Sequence, residues 1–74
     1  MPEKVKINRL KIVLTELEIS HKDFAKMLRK APNTITRICN NEQQPSLETL
    51  RSMAIALGID VRDLLVPTPV KDKK

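Results

Sequence analysis

The sequence predicts an all-α fold in which five short helices form one compact domain over residues 1–66. Apolar side chains recur three and four residues apart in successive segments, which is the spacing of one helical face. Ser, Asp and Pro stand where such segments begin, and Gly stands where one ends. The chain of 74 residues has one Phe and no Trp or Tyr, so aliphatic side chains and Met must fill the core. Such a core suits closely packed short helices.

The first helix is predicted to run from about Asn8 to Glu18. Its apolar face consists of Ile7, Leu10, Val13, Leu14 and Leu17. Ile12 lies off that face and is interpreted either as a scattered surface residue or as part of a contact with a partner.

The second helix has a capping box at its start. Ser20 stands three residues before Asp23, so each side chain can accept a backbone N–H of the first turn. The buried side is predicted to consist of Phe24, Ala25, Met27 and Leu28. We expect the helix to end near Arg29 or Lys30, because Pro32 disfavours helical geometry in the residue before it.

The third helix is predicted to run from Pro32 to about Asn40, with Pro32 at its first position and Asn41 ending it in the left-handed conformation. At about 100 degrees per residue, Ile35, Ile38 and Cys39 fall on one side. The opposite side carries Asn33, Thr36, Arg37 and Asn40.

Two more helices complete the predicted domain. Ser46 caps the fourth helix, which ends at Gly58. Its apolar stripe consists of Leu47, Leu50, Met53, Ala54 and Leu57. Asp60 caps a short fifth helix that extends to Leu65, and residues 67–74 are predicted to be a flexible basic tail.

The charge of the chain favours a polyanionic partner. Lys and Arg total 14 against nine Asp and Glu, which gives a formal net charge of +5. The segment from His21 to Arg37 holds five basic residues and one acid, whereas residues 46–66 hold two basic residues and three acids. One side of the molecule should therefore be markedly more positive.

The polar side of the third helix has a composition that helix stability does not explain. Thr, Asn and Pro form helices less well than Glu, Lys, Gln or Arg. A DNA major groove would favour them, because Arg pairs with guanine, Asn pairs with adenine, and a Thr methyl or Pro ring contacts the thymine methyl. The alternative is a solvated face that happens to be polar.

Several short motifs occur in a characteristic order and spacing: Phe24-Ala25 in the second helix, Thr34-Ile35-Thr36-Arg37 in the third, and then PSLETL and ALGI. With them, the chain from Asn8 onward resembles the lambda-repressor-like helix-turn-helix family. This is the Cro and phage-repressor type, also called the xenobiotic response element family. The resemblance implies five helices, the second and third of which form the helix-turn-helix, with the third in the major groove as the recognition helix.

The resemblance also implies which residues contact DNA. Carried over by position, the base-reading residues are Pro32, Asn33, Thr36 and Arg37, and the helical wheel adds Asn40. The phosphate-binding residues are His21, Thr34, Asn41, Gln43 and Gln44. Lys22 and Lys26, with Arg29 and Lys30, flank the recognition helix and are expected to add affinity for phosphates.

Four positions depart from the usual family pattern. The family often has Gln at His21, Gly at Arg29, Glu at Cys39 and Gly at Asn41. Arg29 in the turn implies strained backbone, whereas Asn is a tolerable replacement for Gly at residue 41.

We expect no enzymatic activity, no cofactor, no metal and no small-molecule ligand. One Cys and one His cannot form a self-contained zinc site, and a single glycine cannot make a glycine-rich phosphate loop. The longest charge-free apolar stretch, SMAIALGI, is far shorter than the roughly 20 residues of a membrane helix. The single cysteine and the polar N-terminal segment favour the reducing cytoplasm.

The sequence therefore predicts sequence-specific double-stranded DNA binding by a small transcriptional regulator, such as a repressor. A homodimer on a two-fold operator is expected, because one such domain covers only a half-site. Candidate interface residues are Ile12, Val61, Leu65 and Val66. The main alternative is a protein-interaction adaptor or an antitoxin-type module, and RNA binding is a weaker one because exposed aromatic side chains are lacking.

Overall fold

The computed structural model of the chain describes residues 6–68 as an all-helical domain. Its α-helices are α1 (Leu10–Leu17), α2 (His21–Leu28), α3 (Pro32–Cys39) and α4 (Leu47–Leu57). A single 3₁₀ turn follows at Val61–Leu64. The predicted all-α class is confirmed, whereas the prediction of five α-helices is wrong, since the described residues contain four. Most of the predicted tail, residues 69–74, lies outside the described residues.

The fifth element is a 3₁₀ turn because the chain becomes extended at Leu65, where φ is −116° and ψ is 142°. Leu65 forms an isolated antiparallel bridge with Asn8. Only four residues remain between the Asp60 cap and this bridge, and their bonds join residues three apart, as in Asp63 N–H to the Asp60 carbonyl at 2.9 Å. The Arg62 backbone N–H and then its guanidinium lower the pKa of the Asp60 carboxyl.

The same bridge explains why α1 begins at Leu10 and not at Asn8. The Arg9 N–H donates to the Leu64 carbonyl at 2.8 Å, and the Val66 N–H donates to the Ile7 carbonyl at 2.8 Å. Residues 7–9 are therefore paired with the C-terminal segment, and their backbone cannot be helical. The first helix therefore begins two residues later than the predicted start at about Asn8.

One core lies between the four helices and the 3₁₀ turn. Its largest fully buried side chains are Phe24, Leu10, Leu14, Ile35, Ile38, Met53 and Leu64. Met27 and Leu47, which the apolar spacing assigned to the core, are instead 50% and 82% exposed. Ile7 and Leu17, at the two ends of the predicted face of α1, are also about half exposed.

The predicted N-caps are confirmed where a side chain supplies them. The Ser20 hydroxyl accepts the Asp23 N–H at 3.0 Å. The Ser46 hydroxyl accepts the Thr49 N–H at 3.1 Å. The Asp60 carboxylate accepts the Arg62 N–H at 2.8 Å and so starts the 3₁₀ turn.

All four α-helices end in the same way, with a left-handed residue that lets two N–H groups bond back to the last turn. These residues are Glu18, Arg29, Asn41 and Gly58, with φ between 58° and 70°. Only one of the four is glycine, for which this conformation carries no Cβ penalty. At residue 29 the N–H groups of Arg29 and Lys30 donate to the Lys26 and Ala25 carbonyls at 3.2 and 2.9 Å.

We expect Arg29→Gly to raise the free energy of unfolding by about 0.5 to 1 kcal/mol. The left-handed conformation costs an L-residue about 1 to 2 kcal/mol, and the greater entropy of glycine in the unfolded chain offsets part of the gain. Urea unfolding of the wild type and the variant checks the sign.

Gly58→Ala is the matched reverse substitution. A Cβ at residue 58 would have no atom within 4 Å, so the expected loss of stability comes from backbone strain alone. A stability loss for Arg29→Gly alongside a gain for Gly58→Ala would contradict this account of the helix ends.

Candidate nucleic-acid interface

The second and third helices form a compact pair joined by a three-residue turn. Arg29 is left-handed, and Ala31 is extended as the N-cap of α3, with φ −70° and ψ 142°. Pro32 takes the first helical position, where no backbone N–H is needed. α2 packs on α3 along the pair, so the position of α3 is fixed by α2 and by the core.

The two sides of α3 differ sharply in exposure. Ile35, Ile38 and Cys39 are buried, and at most 4% of the surface of each residue is exposed. The predicted base-reading residues Pro32, Asn33, Thr36, Arg37 and Asn40 are all exposed. The predicted division of this helix into a core side and a polar solvent side is therefore confirmed, although Asn40 is the C-cap and not a helical residue.

His21 and Thr36 connect the start of α2 to the exposed side of α3. The His21 Nδ1 atom lies 3.1 Å from the Thr36 hydroxyl oxygen. A predicted phosphate-binding side chain therefore contacts a predicted base-reading side chain. The pair places the first turn of α2, where backbone N–H groups lack partners within the helix, beside the exposed face of α3.

Basic side chains extend this exposed surface along α2 and the turn. Lys22, Lys26, Arg29 and Lys30 are all exposed. The only acidic residue of α2 is Asp23, in its first turn. The exposed part of the helix pair is thus positive, as the charge distribution along the chain predicted.

The α3–α4 loop holds three more of the predicted phosphate-binding residues, and two of them, Asn41 and Gln44, have a structural role. The Asn41 Oδ1 atom accepts the backbone N–H groups of Ile7 at 2.8 Å and Asn8 at 2.9 Å. Gln44 donates to the same oxygen at 3.1 Å. Gln43 is exposed, and Thr34 on α3 is half-buried.

Asn8 is the centre of this polar network. Its side-chain N–H₂ donates to the Ile38 carbonyl at 2.9 Å and to Gln44 Oε1 at 2.8 Å. Its Oδ1 atom accepts the Leu10 N–H at 3.0 Å. Asn8 is 5% exposed and is the one buried polar residue among those described. The network ties the N-terminal segment to the end of α3.

Sequence reasoning missed the network because the bonds from residues 7 and 8 to the end of α3 and the following loop join residues 30 to 36 positions apart. One local signal was present: an Asn two residues before the first core Leu can accept that residue's N–H through its side chain. This pattern indicates a turn before the helix and not a helical residue at position 8.

Cys39 is buried on the core side of α3. Burial raises the pKa of its thiol from 9.0 to about 11, although the nearby Lys11 ammonium acts in the opposite direction. The reactive thiolate is therefore a negligible fraction near neutral pH. Because the folded state disfavours ionisation, this group lowers stability only as the pH rises above 9.

Residues 6–68 contain neither a cluster of metal-binding side chains nor a membrane-spanning helix. No group of three or more His, Cys, Asp or Glu side chains in that range could hold a metal ion. None of the helices described there is long and apolar enough to cross a bilayer.

The sequence matches the helix-turn-helix family over residues 10–64. The chain belongs to the lambda-repressor-like helix-turn-helix family. It is also similar to a crystal structure of a protein from Bacteroides fragilis described as a candidate DNA-binding protein. The TM-score is 0.79 at 40% sequence identity, over 81% of this chain and 97% of that chain. No curated protein matches the sequence.

This helix-turn-helix protein keeps the turn geometry in spite of its departures from the family pattern. Arg29 takes the left-handed conformation for which the family often has glycine. Cys39, where the family often has Glu, packs in the core next to Ile35 and Ile38. Asn41, in place of a second glycine, is left-handed as predicted and also bonds the N-terminal segment.

Proposed function

We propose that the protein is a sequence-specific double-stranded DNA-binding regulator that inserts α3 into the major groove. The observation that carries this proposal is the exposed polar side of α3, where Asn33, Thr36, Arg37 and Asn40 face solvent on a helix fixed by its buried side. Membership of the helix-turn-helix family and the likeness to a candidate DNA-binding protein support DNA binding in general.

The side chains on this face suit base edges of different kinds. Arg37 can donate two hydrogen bonds to guanine, and Asn33 or Asn40 can pair with adenine. We expect phosphates to bind at the first turn of α2, with His21 and Lys22, and at Lys26 in its last turn. Such a protein acts without a cofactor or catalysis, in the cytoplasm, where DNA and a reducing environment coincide.

Selection from a randomised duplex pool at several salt concentrations tests the proposal. A defined sequence motif that persists at higher salt supports the regulator. Salt-sensitive binding with no motif indicates an architectural protein, and no binding favours the alternative of a protein-interaction adaptor or antitoxin-type module.

We further propose a homodimer on a two-fold operator, with an interface that differs in part from the one the sequence suggested. Leu47 and Ile55 on α4 are 82% and 64% exposed. They line a groove of about 410 Å³ together with Val61, and Arg51 and Asp60 border the same groove. In a two-fold interface the groove of one subunit faces the same groove of the other subunit. Arg51 of one subunit can then pair with Asp60 of the other. Ile12, Leu65 and Val66 are also partly exposed.

We expect Leu47→Lys or Ile55→Lys to convert the dimer to a monomer with little change in folding stability. Both side chains lie mainly in solvent, so the substitution removes apolar interface area without opening the core. Sedimentation of each variant, alone and on a palindromic duplex, measures the oligomeric state, and thermal unfolding measures the fold.

Ile12→Lys is the matched control, since Ile12 is 49% exposed on the separate surface of α1. It should leave the dimer intact. Dissociation by Ile12→Lys but not by the α4 variants would move the interface to α1, and a wild-type monomer on the palindromic duplex would remove the homodimer.

A further inference from the structure

A second basic surface lies at the C-terminal end of α3. It borders a cavity of about 190 Å³, whose lining includes Lys6, Arg9 and Lys11 next to Asn40 and Asn41. The lining residues include no Asp or Glu. Three cations therefore face one concave surface without a carboxylate among them.

This cavity adjoins the exposed side of α3. Asn40 is part of the cavity wall and is also the last of the exposed residues that face the proposed major groove. The polar network fixes the relation between the two, because Asn8 donates to the Ile38 carbonyl and pairs with Asn41. The cations of the N-terminal segment thus have a defined position relative to α3.

The three cations differ in whether their charged groups already have a hydrogen-bond partner in the protein. One guanidinium N–H of Arg9 donates to the Asp63 carbonyl at 3.0 Å, which holds that side chain against the 3₁₀ turn. Lys6 and Lys11 are exposed. No ion pair joins either lysine to a carboxylate within the described part of the chain. A phosphate is the ligand class that would satisfy them, since it accepts several charge-assisted hydrogen bonds.

We propose that Lys6, Lys11 and Arg9 bind backbone phosphates of the duplex beyond the C-terminal end of α3. A helix in the major groove has a phosphodiester strand on each side of it, and the groove is about 12 Å wide. The α2 cations and the first turn of α2, which contacts α3 at Thr36, bind one of these strands. Lys6, Arg9 and Lys11 bind the other strand, beyond the C-terminal end of α3. This inference rests on the proposed DNA-binding function.

The test is the salt dependence of binding to a selected duplex and to a random duplex. Lys6→Ala and Lys11→Ala should each reduce the slope of log affinity against log salt by about 0.9, and the double variant by about twice that. The loss should be the same on both duplexes, because phosphates carry no sequence information. Lys11→Arg, which keeps the charge, should keep the wild-type slope.

Ser52→Glu provides a charge-matched control on the exposed surface of α4, since it lowers the net charge by the same amount as one Lys→Ala change. Its slope should change much less. Ethylation interference adds a positional readout: ethylated phosphates that block the wild type beyond the C-terminal end of α3 should no longer affect the double variant, whereas those assigned to α2 should still block it. Circular dichroism checks that each variant is folded.

An unchanged slope in the double variant, with wild-type binding still salt-dependent, would overturn the inference and leave the proposed function standing. An equal slope change for Ser52→Glu would also overturn it, since net charge alone would then account for the effect. A wild type that binds no duplex would instead overturn the proposed function.

Discussion

Arg37→Ala is expected to weaken binding to the selected DNA sequence by about 1 to 3 kcal/mol. Because 1.4 kcal/mol corresponds to a factor of ten, the loss is from roughly fivefold to more than a hundredfold. Arg37 is exposed on α3, one residue after Thr36, which contacts His21. Its guanidinium can bond two acceptors on guanine, which no smaller side chain reproduces. The affinity for random duplex should fall much less.

The measurement is a titration of both duplexes by fluorescence anisotropy at one fixed salt concentration. Lys26→Ala is the control, since Lys26 is an exposed cation on α2 that the proposal assigns to phosphates. It should weaken binding to the two duplexes by the same factor. If Arg37→Ala also lowered both affinities equally, Arg37 would not read a base, and the preference at its position in the selected motif should then persist.

The sequence was sufficient to predict helix starts and buried helix faces wherever these depend on interactions between residues close together in the chain. Ser20 and Ser46 start their helices through bonds to N–H groups three residues away. Ile35 and Ile38 face the core because their spacing puts them on one side of a helix. The exposed positions on α3 follow from the same geometry, which is why the proposed base-reading surface could be outlined before its structure was known.

Periodicity failed where it could not tell a core from a second apolar surface. Leu47 has the same spacing as Leu50 and Met53 at the start of α4, yet it is the most exposed of the large apolar residues described. Met27 on α2 is likewise half exposed. Whether an apolar side chain is buried depends on where the neighbouring helices end. The spacing of apolar residues along one helix does not show where its neighbours end.

Pairing between residues far apart in the chain was the other feature that the sequence could not predict. The short fifth element and the late start of α1 have one cause, the bridge between Asn8 and Leu65. No local sequence pattern at Asn8 or at Leu65 predicts that the two residues pair. The same holds for Asn41, whose left-handed backbone could be predicted but whose side-chain partners could not.

Asn41→Ala is expected to lower the free energy of unfolding by about 2 to 4 kcal/mol, a large part of the few kcal/mol available to a domain of this size. The substitution removes the acceptor of the Ile7 and Asn8 N–H groups and the donor to the Asn8 carbonyl at 3.2 Å. It also places Ala in the left-handed conformation, which Asn tolerates better. Urea unfolding followed by circular dichroism gives the difference.

Asn41→Gly separates these two contributions. Glycine removes the same hydrogen bonds but adopts the left-handed backbone freely, so the expected loss is smaller, about 1 to 2 kcal/mol. Backbone strain alone predicts the opposite sign, namely stabilisation of the kind expected for Arg29→Gly, whose side chain forms no such network. A stabilised Asn41→Gly would therefore mean that the bonds from residue 41 to the N-terminal segment add nothing to stability. Destabilisation at residue 41 with stabilisation at residue 29 would establish that Asn at this helix end is retained for its side chain.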